Sequence, residues 1–416
     1  MHRRFAVMSC AIVAALFICS CERSPSPPVA LAPERDSPAV ASAPAAPPTD
    51  LEQLAERIVR QSAGVQRGEH VLISGHAHDQ ELLENLAVHV RKLGAFPVVT
   101  LGSDRLERRM FFDVPAEFDT TVDTFTLKLA EHVHAIITVA NGLEEDTFAD
   151  ADPKRVAARA SASQQMFDTI LKRGVRQIEV GNGLYPTEWR AERYGMSIGD
   201  LSRTFWEGVN VDYTGLAARA DEVSKVLSGG SEIHISDASG TDLRVRIQGR
   251  PVYASDGIIS PAEAKKGGAS ASVFLPAGEV YVTPVPGTAE GRVVRPVDYF
   301  QGREVRDLTM MFAGGRLTGL TGSGPGFESL KALYDAAGEG KDQFGAVDFG
   351  INSSVKLSDD ARVGTWVPAG TVTVGFGNNV WAGGDNKVLY GHYVSLTGAS
   401  ATLDGKPIVQ NGQLKM

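Results

Sequence analysis

Cysteine is missing from almost the whole chain. The sequence of 416 residues contains only Cys10, Cys19 and Cys21, all of them close to its N-terminus. Internal disulfides, thiolate catalysis and zinc held by cysteine are therefore excluded for the remainder of the chain. Its stability must come from the burial of a hydrophobic core.

Basic runs and a second long apolar run are missing as well. The formal net charge is −9, and acidic and basic side chains are scattered along the sequence, which is unfavourable for binding nucleic acid. The Gly-x-Ser-x-Gly turn of serine hydrolases and the His-Glu-x-x-His helix of zinc proteases do not occur. Both of those mechanisms therefore lack their usual sequence motif.

The N-terminal part has the character of a targeting segment followed by a spacer. Arg3 and Arg4 precede an apolar stretch that is too short to span a bilayer and ends in "ICSC". This ending resembles the lipobox of bacterial lipoproteins, which implies a signal peptide over 1–20 and lipid attachment at Cys21. Residues 21–50, rich in Pro, Ala and Ser, are predicted to be a linker. An uncleaved membrane anchor and a plain signal peptide are the alternatives.

The residue after Cys21 predicts where such a lipoprotein would reside. In Gram-negative bacteria an Asp at that position favours retention in the inner membrane, and this sequence has Glu22 instead. We therefore expect an extracytoplasmic protein anchored through Cys21 to the periplasmic face of the outer membrane.

The body of the chain divides into two parts of different character. In residues 51–217, continuous Val/Ile/Leu runs such as "HVLISG" (70–75) alternate with amphipathic helices, which predicts an N-terminal, doubly wound, open-sheet α/β domain. In residues 218–416, short strand-like runs such as "SVFLPAGEVYVTPV" lie between Gly- and Pro-rich turns. They predict a mainly antiparallel, β-rich α+β domain with one clear helix at 327–338.

One polar segment of the first domain has the composition of a metal site. "GHAHD" places His76, His78 and Asp79 directly after a strand, where α/β sheets bind ligands. The alternative is a strand-to-helix turn in which Asp79 caps the next helix. We favour the turn, because no partner cluster can be identified in the sequence.

The second domain contains the most specific motifs. A segment with Gly-Thr-Asp-Leu (211–251) is followed by "LPAGEVYVTPVPGTAEG" (275–291), by "FGAVDFGINSSV" (344–355) and by residues 370–394. In order and spacing these stretches resemble the aminopeptidase T / aminopeptidase S family of metallopeptidases. The resemblance extends over nearly all of 51–416. It implies a peptidase that releases N-terminal residues from peptides, in which two divalent ions activate water and polarise the scissile carbonyl.

The family's metal ligands are two Glu, two His and one Asp, and only one of them has a matching residue here. The first Glu corresponds to Glu279. The other four positions hold Ala346, Thr373, Gly391 and Tyr393. The resemblance therefore implies a metal centre in which most ligands have been replaced.

A smaller set of residues is available for a single metal ion beside Glu279. Asp348 shares a strand face with the second Glu position, whereas His392 is next to a His position and is expected to point to the opposite face. Asp385 and His234 are further candidates. A divalent metal (zinc, cobalt or manganese) is expected if these side chains converge, and none if they do not. Two ions a few ångströms apart would repel by about 19 kcal/mol at an effective dielectric constant of ~20, which one assured carboxylate does not offset.

Three functions are therefore open. The first is residual aminopeptidase activity. The second is a non-catalytic peptide- or ligand-binding protein that lines the cleft between its domains with side chains such as Thr373, Trp381 and Tyr393. The third is a mononuclear enzyme like the ring-cleaving dioxygenases related to the family, which needs two His and a carboxylate, while the second domain offers only His392 and His234. A homodimer is an additional hypothesis.

Overall fold

The computed structural model of the protein describes residues 49–139 and 141–416. The predicted signal peptide, Cys21 and nearly all of the linker lie outside the described residues, so these assignments stay predictions. Within the described part, no helix combines the length and the apolar character needed to cross a membrane.

Five parallel strands form one sheet, and four of them come from the first half of the chain. They are β1 (His70–His76), β2 (Phe96–Gly102), β3 (Ala135–Val139), β4 (Arg176–Val180) and β8 (Ser272–Leu275), and their order across the sheet is β2-β1-β3-β4-β8. The Val, Ile and Leu residues of β1 and β3 are buried, as expected for parallel strands covered on both faces. The predicted parallel-sheet α/β architecture is confirmed.

Helices connect the strands and pack against the sheets. In the described residues they are α1 (Leu51–Arg57, continued by a π-helical segment Ile58–Ser62), α2 (Gln80–Lys92), α3 (Asp104–Phe112), α4 (Thr124–Ala130), α5 (Pro153–Arg173), α6 (Glu188–Arg193), α7 (Ile198–Val209), α8 (Tyr213–Ser228), α9 (Pro261–Lys266) and α10 (Pro325–Ala336). Helix α5 begins after Asp152, whose carboxylate accepts a hydrogen bond from the Lys154 amide, and ends at Gly174 with a φ of 64°. These are the cap residues that favour a helix start and a helix end.

Strand β8 belongs to the parallel sheet although it lies in the second half of the chain. It pairs with β4 from Gln177↔Ser272 to Val180↔Leu275. The sequence pattern assigns "SVFL" to the antiparallel part, and the structure corrects this. All four residues are buried, and the short apolar run of Val273, Phe274 and Leu275 fits a parallel sheet equally well. The domain division at 217/218 stays a prediction.

Two antiparallel sheets make up most of the second half. The eight-stranded sheet has the order β12-β11-β10-β6-β5-β16-β17-β18, and the five-stranded sheet has the order β15-β14-β13-β9-β7. The strands of the first are β5 (Glu232–Ser236), β6 (Asp242–Arg246), β10 (Glu290–Phe300), β11 (Arg303–Ala313), β12 (Arg316–Ser323), β16 (Ser400–Leu403), β17 (Lys406–Gln410) and β18 (Gln413–Leu414). The strands of the second are β7 (Val252–Ser255), β9 (Glu279–Val282), β13 (Phe344–Gly350), β14 (Val372–Gly377) and β15 (Gly391–Leu396).

The two antiparallel sheets contact each other through aromatic side chains. The ring of Phe312 on β11 lies 5.1 Å from that of Phe344 on β13 and 6.5 Å from that of Phe376 on β14. All three rings are buried. One face of the five-stranded sheet is therefore committed to this hydrophobic core, which leaves its other face for different contacts.

The other face of the five-stranded sheet is crossed closely by the chain at Gly350. A Cβ atom at Gly350 would overlap the backbone carbonyl oxygens of Trp366 and Pro368. Since a backbone cannot move aside as a flexible side chain can, we expect Gly350→Ala to lower the free energy of unfolding by about 1–3 kcal/mol, measured by urea unfolding.

Gly338→Ala is the matched control for this prediction. A Cβ atom at Gly338 would meet no atom within 4 Å, so that substitution should leave the free energy of unfolding unchanged or raise it by about 0.4–1 kcal/mol. Equal effects of the two substitutions would contradict the close approach at Gly350.

Candidate functional site

Strand pairing gathers the candidate residues on one face of the five-stranded sheet. Glu279 lies opposite Gly350, Asp348 lies opposite Thr373, and Thr373 lies opposite Ser395. Side chains that are directly opposite in an antiparallel pair point to the same side, as do those two residues apart on one strand. Glu279, Asp348, Thr373 and Ser395 therefore share a face, here called the Glu279 face.

The remaining positions matched to family ligands lie on the same face. Gly391 and Tyr393 precede Ser395 by four and two residues on β15, and Tyr393 lies opposite Gly375. Ala346 precedes Asp348 by two residues, beside an irregularity in the pairing of β13 with β14. The five positions that the resemblance assigns to ligands therefore lie on one face, and four of them carry side chains that are neither carboxylate nor imidazole.

Two carboxylates are buried on the Glu279 face. Glu279 is 0% exposed and Asp348 is 1% exposed. They are diagonal neighbours on adjacent strands, because Glu279 pairs with Gly350 and Asp348 pairs with Tyr281, a relation that separates residues by roughly 7–8 Å. Next to them, the hydroxyl oxygens of Thr373 and Ser395 are hydrogen-bonded at 2.7 Å.

Aromatic rings occupy the same side of the sheet. The ring of Trp381 lies 5.1 Å from that of Tyr281, 5.4 Å from that of Trp366 and 5.5 Å from that of Tyr393. The hydroxyl of Tyr393 donates a hydrogen bond of 2.7 Å to the carbonyl oxygen of Asn378. Tyr393 stands at the position that the resemblance assigns to the family's Asp ligand, and there it is a packed aromatic ring.

His392 lies on the opposite face, as its position beside Gly391 predicts. Its ring is 5.8 Å from that of Phe376, and its Nε2 atom is 3.7 Å from Oδ2 of Asp298 on β10. Burial lowers the pKa of His392 to about 3 and raises the pKa of Asp298. The structure therefore brings Asp348 to Glu279 but places a neutral His392 between the two antiparallel sheets.

The two further candidates are not buried with Glu279. Asp385 is exposed. His234 lies on β5 of the eight-stranded sheet, where its Nε2 atom is 2.7 Å from Oδ1 of Asp242. His234 and His392 thus lie in different sheets, each near its own carboxylate, and they do not form the pair of histidines that a mononuclear dioxygenase site needs.

The side chains of the Glu279 face do not fit a two-metal centre. Such a centre needs several carboxylates and imidazoles around two ions, whereas this face offers two carboxylates and no imidazole. In the part of the chain that the structure describes, no group of three or more His, Cys, Asp or Glu side chains is arranged to hold a metal ion.

The polar segment after β1 is more than a helix cap. Asp79 occupies the position before α2, but its side chain makes no capping hydrogen bond. Its carboxylate instead accepts hydrogen bonds from the hydroxyl of Tyr185 at 2.8 Å and from Nδ2 of Asn141 at 3.2 Å. The capping interpretation is therefore wrong. Its partners follow 62 and 106 residues later in the sequence, and no local pattern points to them.

The fold is that of known enzymes. The structure is similar to wild-type AmpT from Thermus thermophilus, with 18% sequence identity and a TM-score of 0.64 over 88% of this chain and 99% of that chain. It is also similar to 2,5-dihydroxypyridine dioxygenase from Pseudomonas putida KT2440, with 15% identity and a TM-score of 0.50 over 88% of this chain and 96% of that chain. At these identities the likeness concerns the fold alone. No curated protein matches the chain.

A family match extends over most of the sequence. Residues 48–358 match the family described as thermophilic metalloprotease (M29), and this range includes Glu279, Ala346 and Asp348. Because the match covers well over half of the chain, this protein belongs to the M29 family of metal-dependent aminopeptidases.

Proposed function

We propose that this protein is a non-catalytic member of its family, which binds the amino terminus of a peptide on the Glu279 face without cleaving it. One observation carries the proposal. The family's five ligand positions lie together on that face, and four of them hold Ala346, Thr373, Gly391 and Tyr393. Peptide hydrolysis of the family's kind needs the two ions that these residues do not bind.

The chemistry left on this face suits a positively charged amine. Glu279 and Asp348 are acceptors for an ammonium group, and charge-assisted hydrogen bonds of this kind are among the stronger ones in proteins. The rings of Tyr281, Trp381 and Tyr393 surround the same region, and electron-rich aromatic faces attract cations. A peptide's amino terminus would thus place its positive charge beside two carboxylates, where the resemblance implies metal ions in the active relatives.

Burial sets the expected kinetics of such binding. Glu279 and Asp348 are inaccessible in the closed protein, so a ligand reaches them only after the surrounding chain opens. Association that requires a conformational change is slower than the usual range for preformed sites. We therefore expect slow binding.

One observation favours a second candidate function, hydrolysis with a single metal ion. Asp348 and Glu279 share the face, and two carboxylates with water are a ligand set that Mn²⁺ accepts. The absence of a third protein ligand makes this the less favoured candidate.

A pair of ligands that differ in one charge tests the proposed function. Leucinamide should bind the full chain in the presence of EDTA, and N-acetyl-leucinamide should not, as measured by isothermal titration calorimetry. Glu279→Gln and Asp348→Asn should each weaken leucinamide binding by about 10-fold or more, since a hydrogen bond to a charged group contributes about 1.5–3 kcal/mol.

The control for this test is Asp242→Asn, which removes an exposed carboxylate of the eight-stranded sheet and should leave the affinity unchanged. Equal binding of the two ligands would overturn the role of the carboxylates. Hydrolysis of leucine p-nitroanilide that needs added Mn²⁺ and is lost in Glu279→Gln would overturn the non-catalytic proposal in favour of single-metal hydrolysis.

We further propose that the protein is lipid-anchored and extracytoplasmic, on the periplasmic face of the outer membrane. The lipobox-like "ICSC" and the Pro/Ala/Ser-rich linker support this proposal. Metabolic labelling with an alkyne analogue of palmitate should label the wild type and Cys19→Ala but not Cys21→Ala, because only the lipobox cysteine is acylated. Labelling that survives in Cys21→Ala would contradict it.

We propose that a second copy of the chain pairs with the edge strand β2. Strand β2 ends the parallel sheet, and its residues Phe96, Val98, Val99 and Leu101 are 40–49% exposed. An edge strand with exposed apolar side chains is a template for pairing with another chain.

Analytical ultracentrifugation tests the dimer. The wild type should sediment as a dimer at micromolar concentration, and Val99→Glu should shift it to monomer. Met311→Glu replaces a side chain of similar exposure, 42% against 42% for Val99, on β11 of another sheet, and should have no effect. A monomeric wild type would overturn the proposal.

A further inference from the structure

A second cluster of titratable side chains lies at the carboxyl end of the parallel sheet. Strand β1 lies between β2 and β3 in the sheet. The chain places β2 on one side of β1 and then crosses to place β3 on the other side, so the strand order reverses between β1 and β3. Open α/β sheets bind their ligands in the crevice outside this point. Here β1 ends at His76, and the chain after β3 provides Asn141 and Gly142.

His76 is held between two carboxylates from the first turns of α3. Its Nε2 atom is 2.9 Å from Oε1 of Glu107, which is a hydrogen bond. Its Nδ1 atom is 3.9 Å from Oδ2 of Asp104, which is beyond hydrogen-bonding distance. That Asp104 oxygen accepts a hydrogen bond from the amide of Leu143 at 2.8 Å, which fixes the carboxylate beside the ring.

The Nδ1 atom of His76 is the unusual feature of this cluster. His76 is only 6% exposed, and its Nδ1 atom is buried without a hydrogen-bond partner. Buried polar atoms are almost always paired, so each exception calls for an explanation. Its neighbour is Oδ2 of Asp104. One ion bound to both atoms, through bonds of about 2.0–2.2 Å, would fit the distance between them.

Glu107 is placed as the orienting partner of a metal-binding histidine. Histidines that bind a metal through one ring nitrogen usually donate the other N–H to a carboxylate, which fixes the tautomer and the ring orientation. The hydrogen bond between Nε2 and Glu107 leaves the lone pair of Nδ1 directed towards Asp104.

We propose that Nδ1 of His76 and Oδ2 of Asp104 hold one divalent transition-metal ion at this point, with Glu107 orienting the imidazole and water completing the coordination shell. Two protein ligands make it a partly hydrated site, in agreement with the lack of any complete three-ligand group among the described residues. This ion is separate from the Glu279 face, on a different sheet.

The charge around His76 favours a cation. Asp79 adds a third carboxylate to Glu107 and Asp104. Its carboxylate lies 3.3 Å from Nε2 of His78. The surroundings thus stabilise positive charge on or beside this ring.

Titration of the metal-stripped full chain with Mn²⁺ tests the proposal. Room-temperature electron paramagnetic resonance reports the free ion, whose sharp signal disappears on binding. One Mn²⁺ per chain should bind the wild type. Asp104→Asn and His76→Gln should each weaken binding by at least 10-fold, and Glu107→Gln, which keeps an acceptor for Nε2, by about 10- to 100-fold. Circular dichroism of each variant confirms that it is folded.

Two controls locate the ion. His234→Ala removes another histidine that is paired with a carboxylate, and Glu279→Ala removes the family-matched carboxylate; both should keep the wild-type affinity. No binding by the wild type would overturn the proposal, as would binding that is unchanged in both Asp104→Asn and Glu107→Gln. Binding lost only in Glu279→Ala would place the ion on the Glu279 face, and would count against the non-catalytic proposal as well.

Discussion

The balance of buried charge on the Glu279 face constrains which side chains the second half of the chain can place there. Carboxylates away from water are costly unless cations or hydrogen-bond donors balance them. In the relatives that the sequence resembles, two dications and several carboxylates offset one another. In the assignment that the resemblance implies, Thr373 and Gly391 stand at imidazole positions, and Ala346 and Tyr393 stand at carboxylate positions. A change that removes cation-binding imidazoles together with carboxylates keeps the buried charge in balance, so the four assigned changes form one consistent set.

The replaced positions are also satisfied locally. The hydroxyl of Thr373 bonds to that of Ser395, and the hydroxyl of Tyr393 bonds to the Asn378 carbonyl. The ring of Tyr393 packs against Trp366 and Trp381 at 5.4 and 5.5 Å. A hydrolytic centre of the family's kind needs room for an activated water. Such surroundings favour recognition of an apolar or cationic group over hydrolysis, which is why the binding proposal follows from the packing as well as from the lost ligands.

Sequence patterns predict those features that depend on neighbours along the chain. Continuous apolar runs such as "HVLISG" predict strands of the parallel sheet such as β1, and strand alternation predicts that His392 lies on the face opposite to Glu279. Helix α5 begins at Pro153 because Asp152 and Pro153 supply a cap and a favourable first residue. The sequence pattern assigns β8 to the wrong sheet because the three apolar residues after Ser272 carry no information about their partner strand.

The contacts of Asp79 and His76 illustrate what sequence patterns do not predict. Asp79 reaches Asn141 and Tyr185, and His76 reaches Glu107, so both clusters exist only after β1, β3 and α3 have assembled. The alternatives for "GHAHD" differed in those distant partners and in nothing that the segment itself contains. The composition of the segment was informative, whereas its role depended on the fold.

The two halves of the protein therefore place ligand chemistry by different means. On the Glu279 face, the position that the resemblance assigns to each ligand is tied to a strand register and to a motif, so the motif residues can change while the fold persists. At the end of the parallel sheet, the crevice arises from the order of the strands, and it requires only suitable side chains after β1 and at the start of α3. His76, Asp104 and Glu107 meet that requirement without any family motif. A binding site in the first half can therefore exist independently of the positions on the Glu279 face in the second.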